Sequence, residues 1–327
     1  MNKLAEKACI NWGIIGCGDV TEVKSGPAFN KVAHSRLLGV MRRDHEKAKD
    51  YAARHGVPKV YVNAEALIQD PEIDAVYIAT PPDTHCDYAL QVAQAAKPCC
   101  VEKPMALNYT QCAAMNAAFD KAGQPLFVAY YRRFLPRFLQ VKHWLDTGLI
   151  GEVLHVDWRY LSPATDRDIA ADNWRVQPAI AGGGYFVDLA SHGIDLLQFL
   201  VGAIDRVNGI ARHQKQRYPA EDAVVASFGF RNGATGTGTW NFNTHSFSDE
   251  VMIVGEQGSI RFSVFAEADV SIDARERKES LHIPHPEHVQ LNHIDHMVQH
   301  LRGECRHSSL GDTAAMSTRI MEQILAG

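Results

Sequence analysis

Long apolar runs are missing from this sequence. No segment of the 327-residue chain approaches the roughly 18 consecutive apolar residues that a membrane span needs, so membrane insertion is not expected. An excess of positive charge is missing too: 33 Lys and Arg against 38 Asp and Glu leave a formal net charge of −5. Binding to a phosphate backbone usually needs the opposite balance, so nucleic acid is not an expected partner. The seven cysteines, Cys9, Cys17, Cys86, Cys99, Cys100, Cys112 and Cys305, are odd in number and lack the paired spacing of a disulfide framework. A reducing cytoplasm is the expected compartment. Residues 1–9, MNKLAEKAC, are too short and too charged for a signal peptide. There is no internal repeat and no low-complexity linker. What remains is globular in composition, with 46% apolar and 22% charged residues, and is about twice the length of a typical domain, which predicts two domains.

The first part of the chain alternates short apolar runs with helical patterns. Strands are expected at 10–15, around 37–41, at 75–80, 99–101 and 126–130, and helices at 46–55, 85–96 and 109–122, with Gly56 stopping the first helix and Asn108 capping the last. Such βαβ rhythm implies a parallel sheet covered on both faces. After about residue 125 the rhythm changes. A helix at 137–147 leads to a strand at 152–160, an irregular stretch, and one helical pattern over 185–200. Strands then dominate, at 207–213, 223–230, 234–242, 250–254 and 259–264, joined by turn signals such as Arg231-Asn232-Gly233 and Gly255-Glu256-Gln257-Gly258. These short connections favour antiparallel pairing. Helical patterns at 292–302 and 311–325 close the chain, free to cover the second sheet or to pack back on the first domain. The expected fold class is therefore α/β followed by α+β: residues 1–125 as a dinucleotide-binding domain and 126–327 as a substrate-binding and oligomerisation domain, its open, mainly antiparallel sheet covered by helices on one face.

The first strand runs into Gly16-Cys17-Gly18-Asp19-Val20-Thr21, which fits G-x-G-x-x-G except at Thr21. Gly16 permits the tight turn, Gly18 lets the backbone approach a pyrophosphate, and the N–H groups at Asp19 and Val20 face the anion at the start of a helix. The second strand ends in Arg42-Arg43-Asp44, about 25 residues further on, where an acid would accept the ribose hydroxyls of NAD and an arginine would pair with the extra phosphate of NADP. Arg42 occupies that place, so NADP(H) is the expected cofactor and NAD(H) the other candidate.

Four more stretches narrow the reading: Thr80-Pro81-Pro82-Asp83-Thr84-His85, Glu102-Lys103-Pro104, Tyr131-Arg132-Arg133-Phe134, and Gly182-Gly183-Gly184 followed by Asp188-Leu189-Ala190-Ser191-His192. With the glycine turn, in this order and spacing, they resemble the Gfo/Idh/MocA oxidoreductases over essentially the whole chain. The resemblance implies an N-terminal Rossmann domain, a C-terminal sheet often used for homodimer or homotetramer formation, and nicotinamide-dependent chemistry on sugars, polyols or related small molecules. It puts Lys103 beside the nicotinamide and the reacting carbon, with Glu102 next to it and the Lys103–Pro104 peptide bond often cis. Thr80, Pro81 and His85 fall in the loop under the ribose and pyrophosphate.

Lys103 leaves the C-terminal end of a parallel strand, the address where ligands collect in such sheets, and its ammonium suits developing alkoxide charge. Asp188 and His192 stand four apart on a helical pattern, with Asp195 three further on, so the carboxylate can orient a histidine suited to proton transfer. Tyr131, Arg133, Trp174 and Arg175 are candidate cleft-lining contacts to substrate. His282, His285, His288, His293, His296 and His300 crowd one stretch, but Pro284 and Pro286 break it and no cysteine or acid completes a zinc spacing. No metal is expected, and 292–302 reads as a solvated or interface helix. Two other functions fit the fold, a non-catalytic NAD(P)-sensing protein and an NAD-dependent glycosidase of the same superfamily. Lys103 and His192 together argue against the first, and Arg42 with the intact Glu102-Lys103-Pro104 against the second.

Overall fold

A computed structural model describes residues 4–327; the first three residues of the MNKLAEKAC segment lie outside them. The chain forms two compact units. One runs to Tyr131 and resumes over Pro286–Ala315, and the other comprises Arg132–His285 and Met316–Gly327.

In the first unit β1 (Ile10–Ile15), β2 (Ser35–Met41), β3 (Lys59–Tyr61), β4 (Ala75–Ile78), β5 (Cys99–Val101) and β6 (Leu126–Val128) make one sheet. Its order is β3-β2-β1-β4-β5-β6, parallel throughout, so the winding reverses beside β1. All six residues of β1 are buried because apolar layers cover both faces. Alternation sorts the side chains: Ile15, Ile78, Cys99 and Val101 enter one layer, and Trp12, Ile14, Tyr77 and Cys100 the other. The vicinal Cys99 and Cys100 are thus a buried strand pair on opposite faces. Local signals act as the sequence suggests. Asp44 accepts the Lys47 N–H at the start of helix His45–His55, and Gly56 ends that helix at φ 63°. Asn108 accepts the Gln111 N–H at the start of helix Tyr109–Ala122.

The helix Leu291–Leu301 packs back on the first unit, one of the two placements the sequence left open, but as part of its core and not as a solvated or interface helix. It buries His293, Ile294, Met297, Val298 and Leu301, and its apolar members join the layer around Trp12 and Phe127. His293 is fully buried with Nε2 3.7 Å from Cys100 Sγ and its ring 4.8 Å from that of His307. An imidazole ring fills a core position at a helical spacing as well as an aliphatic side chain does, which is why spacing alone misread this face.

In the second unit β7 (Val153–Leu161), β8 (Ile204–Arg212), β9 (Ala223–Phe230), β10 (Thr235–Asn241), β11 (Ser248–Gly255), β12 (Gly258–Phe262), β13 (Val270–Ala274) and β14 (Lys278–Leu281) form a sheet of order β14-β13-β12-β11-β7-β10-β9-β8. Every neighbour is antiparallel except β7 with β10, which run parallel because the chain leaves β7 through the helical stretch and re-enters by β8 at the far edge. One face is packed: the Trp158 and Trp240 rings meet edge to face at 5.1 Å, and Phe186 adds to them. A Cβ on Gly193 would stand 2.1 Å from Trp158, so this glycine lets helix Ser191–Leu200 press directly onto β7. The other face carries Thr235, Thr237 and Thr239 with exposed Ile210 and Val225. β3, β13 and β14 went unread in the sequence. The first is three residues long, and Lys-Glu-Ser-Leu in β14 is the charged, barely apolar pattern of an edge strand.

Among the described residues no helix is long and apolar enough to cross a membrane, and no group of histidine, cysteine and acid side chains could hold a metal ion.

His307, 1% exposed, accepts the Ser309 N–H on Nδ1, and burial together with His293, His296 and His300 pushes its imidazole well below the usual histidine range. The folded protein keeps it neutral where the unfolded chain takes up a proton. Stability should therefore fall as pH drops below about 6.5, by up to ~1.4 kcal/mol per pH unit for each such proton. Urea titrations from pH 7.5 to 5 should show this slope, and His307→Asn, which keeps an acceptor for Ser309, should flatten it.

Candidate functional site

Parallel strands deliver their loops to one edge. At the C-terminal end of the first sheet, Gly16 follows β1, Arg42 follows β2, Thr80 follows β4 and Lys103 follows β5. Gly16 sits at φ 93°, and a Cβ there would meet Thr80 Cγ2 at 2.7 Å and Thr80 N at 2.9 Å, so only glycine lets these two loops touch. Gly18 precedes the short helix Asp19–Val23, which carries Asp19 and Val20. Thr21, where the motif would have its last glycine, is accommodated by its own bonds: its hydroxyl donates to Gly18 O at 2.8 Å, and its carbonyl accepts from Tyr51 Oη at 2.9 Å.

Arg42 is half-buried and donates from Nη1 to Cys17 O at 3.2 Å, which draws the guanidinium over the glycine turn; Arg43 is exposed. Asp44, the nearest acid, is committed to its helix cap.

Thr80 and Pro81 are half-buried, and Thr84 Oγ1 donates to Thr80 Oγ1 at 2.8 Å. His85 was expected to serve the cofactor, but its ring is fully buried with Nε2 2.8 Å from Thr80 O and Nδ1 3.0 Å from Pro104 O. It ties the β4 loop to the β5 loop from inside. Burial lowers its affinity for a proton, and the two carbonyls act the other way. Glu102 is likewise inward. Tyr77 Oη and Gln290 Nε2 donate to its Oε1 at 2.5 and 2.7 Å, and the Lys103 N–H donates to Oε2 at 3.2 Å. Lys103 itself is half-buried, and the Lys103–Pro104 peptide bond is cis. Tyr131, 7% exposed, ends the first segment of this unit.

The second unit gathers Trp174, Arg175 and Asp188. The Arg175 guanidinium stacks 4.5 Å from the Trp174 ring centre, and its Nε lies 3.5 Å from Asp188 Oδ2. The 185–200 pattern is not one regular helix, as the sequence suggested. Phe186–Ala190 is a wider π turn, and the α-helix begins at Ser191. Asp188 lies in the wide turn, a form common at functional sites, and His192 on the first turn of the helix. Gly182 ends the short helix Pro178–Ala181 at φ 81°, and the next two glycines allow the approach to that turn. A Cβ on Gly183 would stand 2.4 Å from Val187 Cγ2 and one on Gly184 2.7 Å from Ala220 Cβ, while the Gly184 N–H donates to Glu221 Oε1 at 3.0 Å. Burial raises the Glu221 carboxyl above its ordinary range. His192 is 5% exposed with its ring 6.0 Å from that of Phe265.

Arg133 does not join this group in the manner expected. It is 5% exposed and grips Asp195, 1% exposed, from Nε at 2.7 Å and Nη2 at 2.5 Å. Burial pushes the Asp195 carboxyl up, and Arg133 opposes the shift. Tyr77, Gln290, Glu221 and Phe265 carried no motif signal, since each acts through a partner distant in sequence. A cavity of about 1170 Å³, lined by Asp74, Pro98, Pro125, His300 and Arg306 among others, opens at the opposite end of the first sheet and shares no residue with either group.

Residues 10–130 match the model of the oxidoreductase family with an NAD-binding Rossmann fold, and residues 138–261 match the GFO/IDH/MocA C-terminal domain. Oxidoreductase P35 of Formosa agariphila is 42% identical over 96% of this chain and 97% of its own. The chain belongs to the GFO/IDH/MocA oxidoreductase family. Among solved members of similar fold, a levoglucosan dehydrogenase in complex with NADH superposes with a TM-score of 0.87 at 24% identity, covering 96% of this chain and 95% of that one. The WlbA dehydrogenase of Bordetella pertussis, in complex with NADH and UDP-GlcNAcA, gives a TM-score of 0.81 at 26% identity, covering 97% and 95%.

For this family member the Arg133–Asp195 pair makes a direct test. Arg133→Leu strands a buried carboxylate and should cost about 3–5 kcal/mol in urea unfolding, whereas Arg133→Leu with Asp195→Leu should recover most of that loss. A side chain serving substrate alone would leave stability unchanged.

Proposed function

We propose that this protein is an NADP(H)-preferring oxidoreductase that moves hydride between nicotinamide and a carbinol or carbonyl carbon of a sugar, polyol or related small molecule. The observation that carries the reading is the address of Lys103, at the C-terminal end of the buried parallel strand β5, one strand beyond β4, whose loop packs on Gly16 so closely at Thr80 that no Cβ fits there. Gly16, Gly18 and the backbone at Asp19 and Val20 suit a pyrophosphate, and Thr80 and Pro81 lie in the adjoining loop. The nicotinamide, when bound, supplies the hydride donor or acceptor. The Lys103 ammonium stabilises charge developing on the substrate oxygen, and His192 takes or returns the proton. Asp188 holds His192 or a substrate hydroxyl, with Arg175, Trp174 and Tyr131 as further contacts. Sugar-like substrates are supported by relatives named levoglucosan dehydrogenase and inositol 2-dehydrogenase.

Arg42 over the glycine turn and Asp44 spent on a cap support NADP(H) over NAD(H). An NADPH supply in turn favours reduction of a keto or aldehyde group. The exposed Ile210 and Val225 on the open sheet face support a homodimer or homotetramer built through that sheet. Seven free cysteines support a cytoplasmic setting.

Titrating cofactor-stripped protein with NADPH and NADH should show at least about tenfold tighter NADPH binding, ~1.4 kcal/mol, and Arg42→Asp should remove that margin. Equal or tighter NADH binding, as the NADH complexes of similar structures would suggest, overturns the NADP reading. Lys103→Ala should lower kcat by about 10²–10³ while nicotinamide binding is kept. Near-normal turnover would remove Lys103 from the chemistry.

A further inference from the structure

The connection between β12 and β13 is held far more firmly than a surface loop requires. Arg132 donates from Nη1 to Val264 O at 2.5 Å, and Arg137 donates from Nη1 to Ala266 O at 2.9 Å and from Nη2 to Ala268 O. Asp249 accepts the Phe265 N–H at 2.6 Å, the Ala266 N–H at 3.4 Å and the Ser263 hydroxyl. Three charged side chains, two of them buried arginines, thus occupy alternate carbonyls and successive amides of one short segment. Its one aromatic side chain is Phe265. The Arg132 guanidinium lies 4.5 Å from that ring's centre, Tyr160 meets it at 5.3 Å and 74°, and His192 at 6.0 Å and 77°. The ring is only half-buried.

We propose that Phe265 is a specificity residue: its half-exposed ring forms an apolar wall beside His192 against which the C–H face of a sugar or polyol ring lies, so that ring size at this position selects among substrates by their exocyclic groups. The proposal rests on the reading of His192 as the acid/base of a sugar or polyol oxidoreductase. Hydroxyl-bearing rings expose apolar C–H faces, and an aromatic ring is the side chain that buries such a face while leaving the hydroxyls to polar partners. Fixing the ring in advance matters because a wall that had to be ordered on binding would cost affinity for every substrate alike. The backbone bonds to both residues flanking Phe265, at Val264 and Ala266, supply that fixation.

The test compares wild type with Phe265→Ala, Phe265→Leu and Phe265→Trp on a panel of neutral aldoses taken as hexose and pentose pairs that differ only in the exocyclic hydroxymethyl group, with anhydrosugars and inositols as further substrates that lack a free one. Phe265→Trp should shift the kcat/KM ratio toward the smaller member of each accepted pair by about tenfold and Phe265→Ala toward the larger, mainly through KM, with nicotinamide binding unchanged. Phe265→Leu keeps apolar bulk and should fall between; should the alanine variant not fold, the leucine and tryptophan variants decide. Ratios that stay constant while kcat falls by one common factor would mean that Phe265 only packs against His192, and would overturn the proposal. A wild-type protein that binds nicotinamide but turns over no member of the panel would instead overturn the proposed function, and this inference with it.

Discussion

Glu102 sits 7% exposed at the end of β5 with Tyr77 and Gln290 donating to one oxygen and the backbone of Lys103 to the other, and a carboxyl group so far from water costs free energy unless its oxygens find such donors. The three donors come from β4, from the Pro286–Ala315 segment that rejoins the first unit, and from the residue expected to act on substrate. Burial also raises the Tyr77 hydroxyl well above its ordinary range, so it stays a donor at any physiological pH. His85 performs the matching task one layer away by spanning Thr80 O and Pro104 O. The position of Lys103 is therefore over-determined on the inner side, while its own side chain is only half-buried.

The second unit uses buried charge in the same way. Arg133 spends its guanidinium on Asp195, and Arg132 and Arg137 spend theirs on backbone carbonyls of the β12–β13 connection. These bonds fix the helix that carries His192 and the loop that carries Phe265. The wide turn at Asp188, the close-packed glycines before it and Gly193 on Trp158 add constraints of shape where the arginines add constraints of charge. Pre-arranged surroundings of this kind let binding energy go to the substrate instead of to ordering the protein.

Much of the fold was legible because local physics repeats. The βαβ rhythm, the caps at Asp44 and Asn108 and the Gly56 stop all follow from nearest-neighbour preferences, and they appear where those preferences put them. Period-based reading failed where a side chain has two uses. His293 on Leu291–Leu301 reads as part of a polar face yet packs as a core ring, and the 185–200 pattern hides one wide turn because a π turn leaves the apolar spacing nearly intact.

The sequence by itself determined the two sheet types, the glycine turn after β1, the Arg42 position and the Lys103-Pro104 address, since each depends on a handful of adjacent residues and on backbone geometry that those residues dictate. Tertiary structure alone decided which polar side chains are spent inside: Glu102 on Tyr77 and Gln290, His85 on two carbonyls, Arg133 on Asp195, and two arginines on the loop of Phe265. The partners of Glu102 and the arginines include groups more than sixty positions away, and a hydrogen bond or an ion pair at that separation leaves no period, spacing or composition for a linear reading to detect.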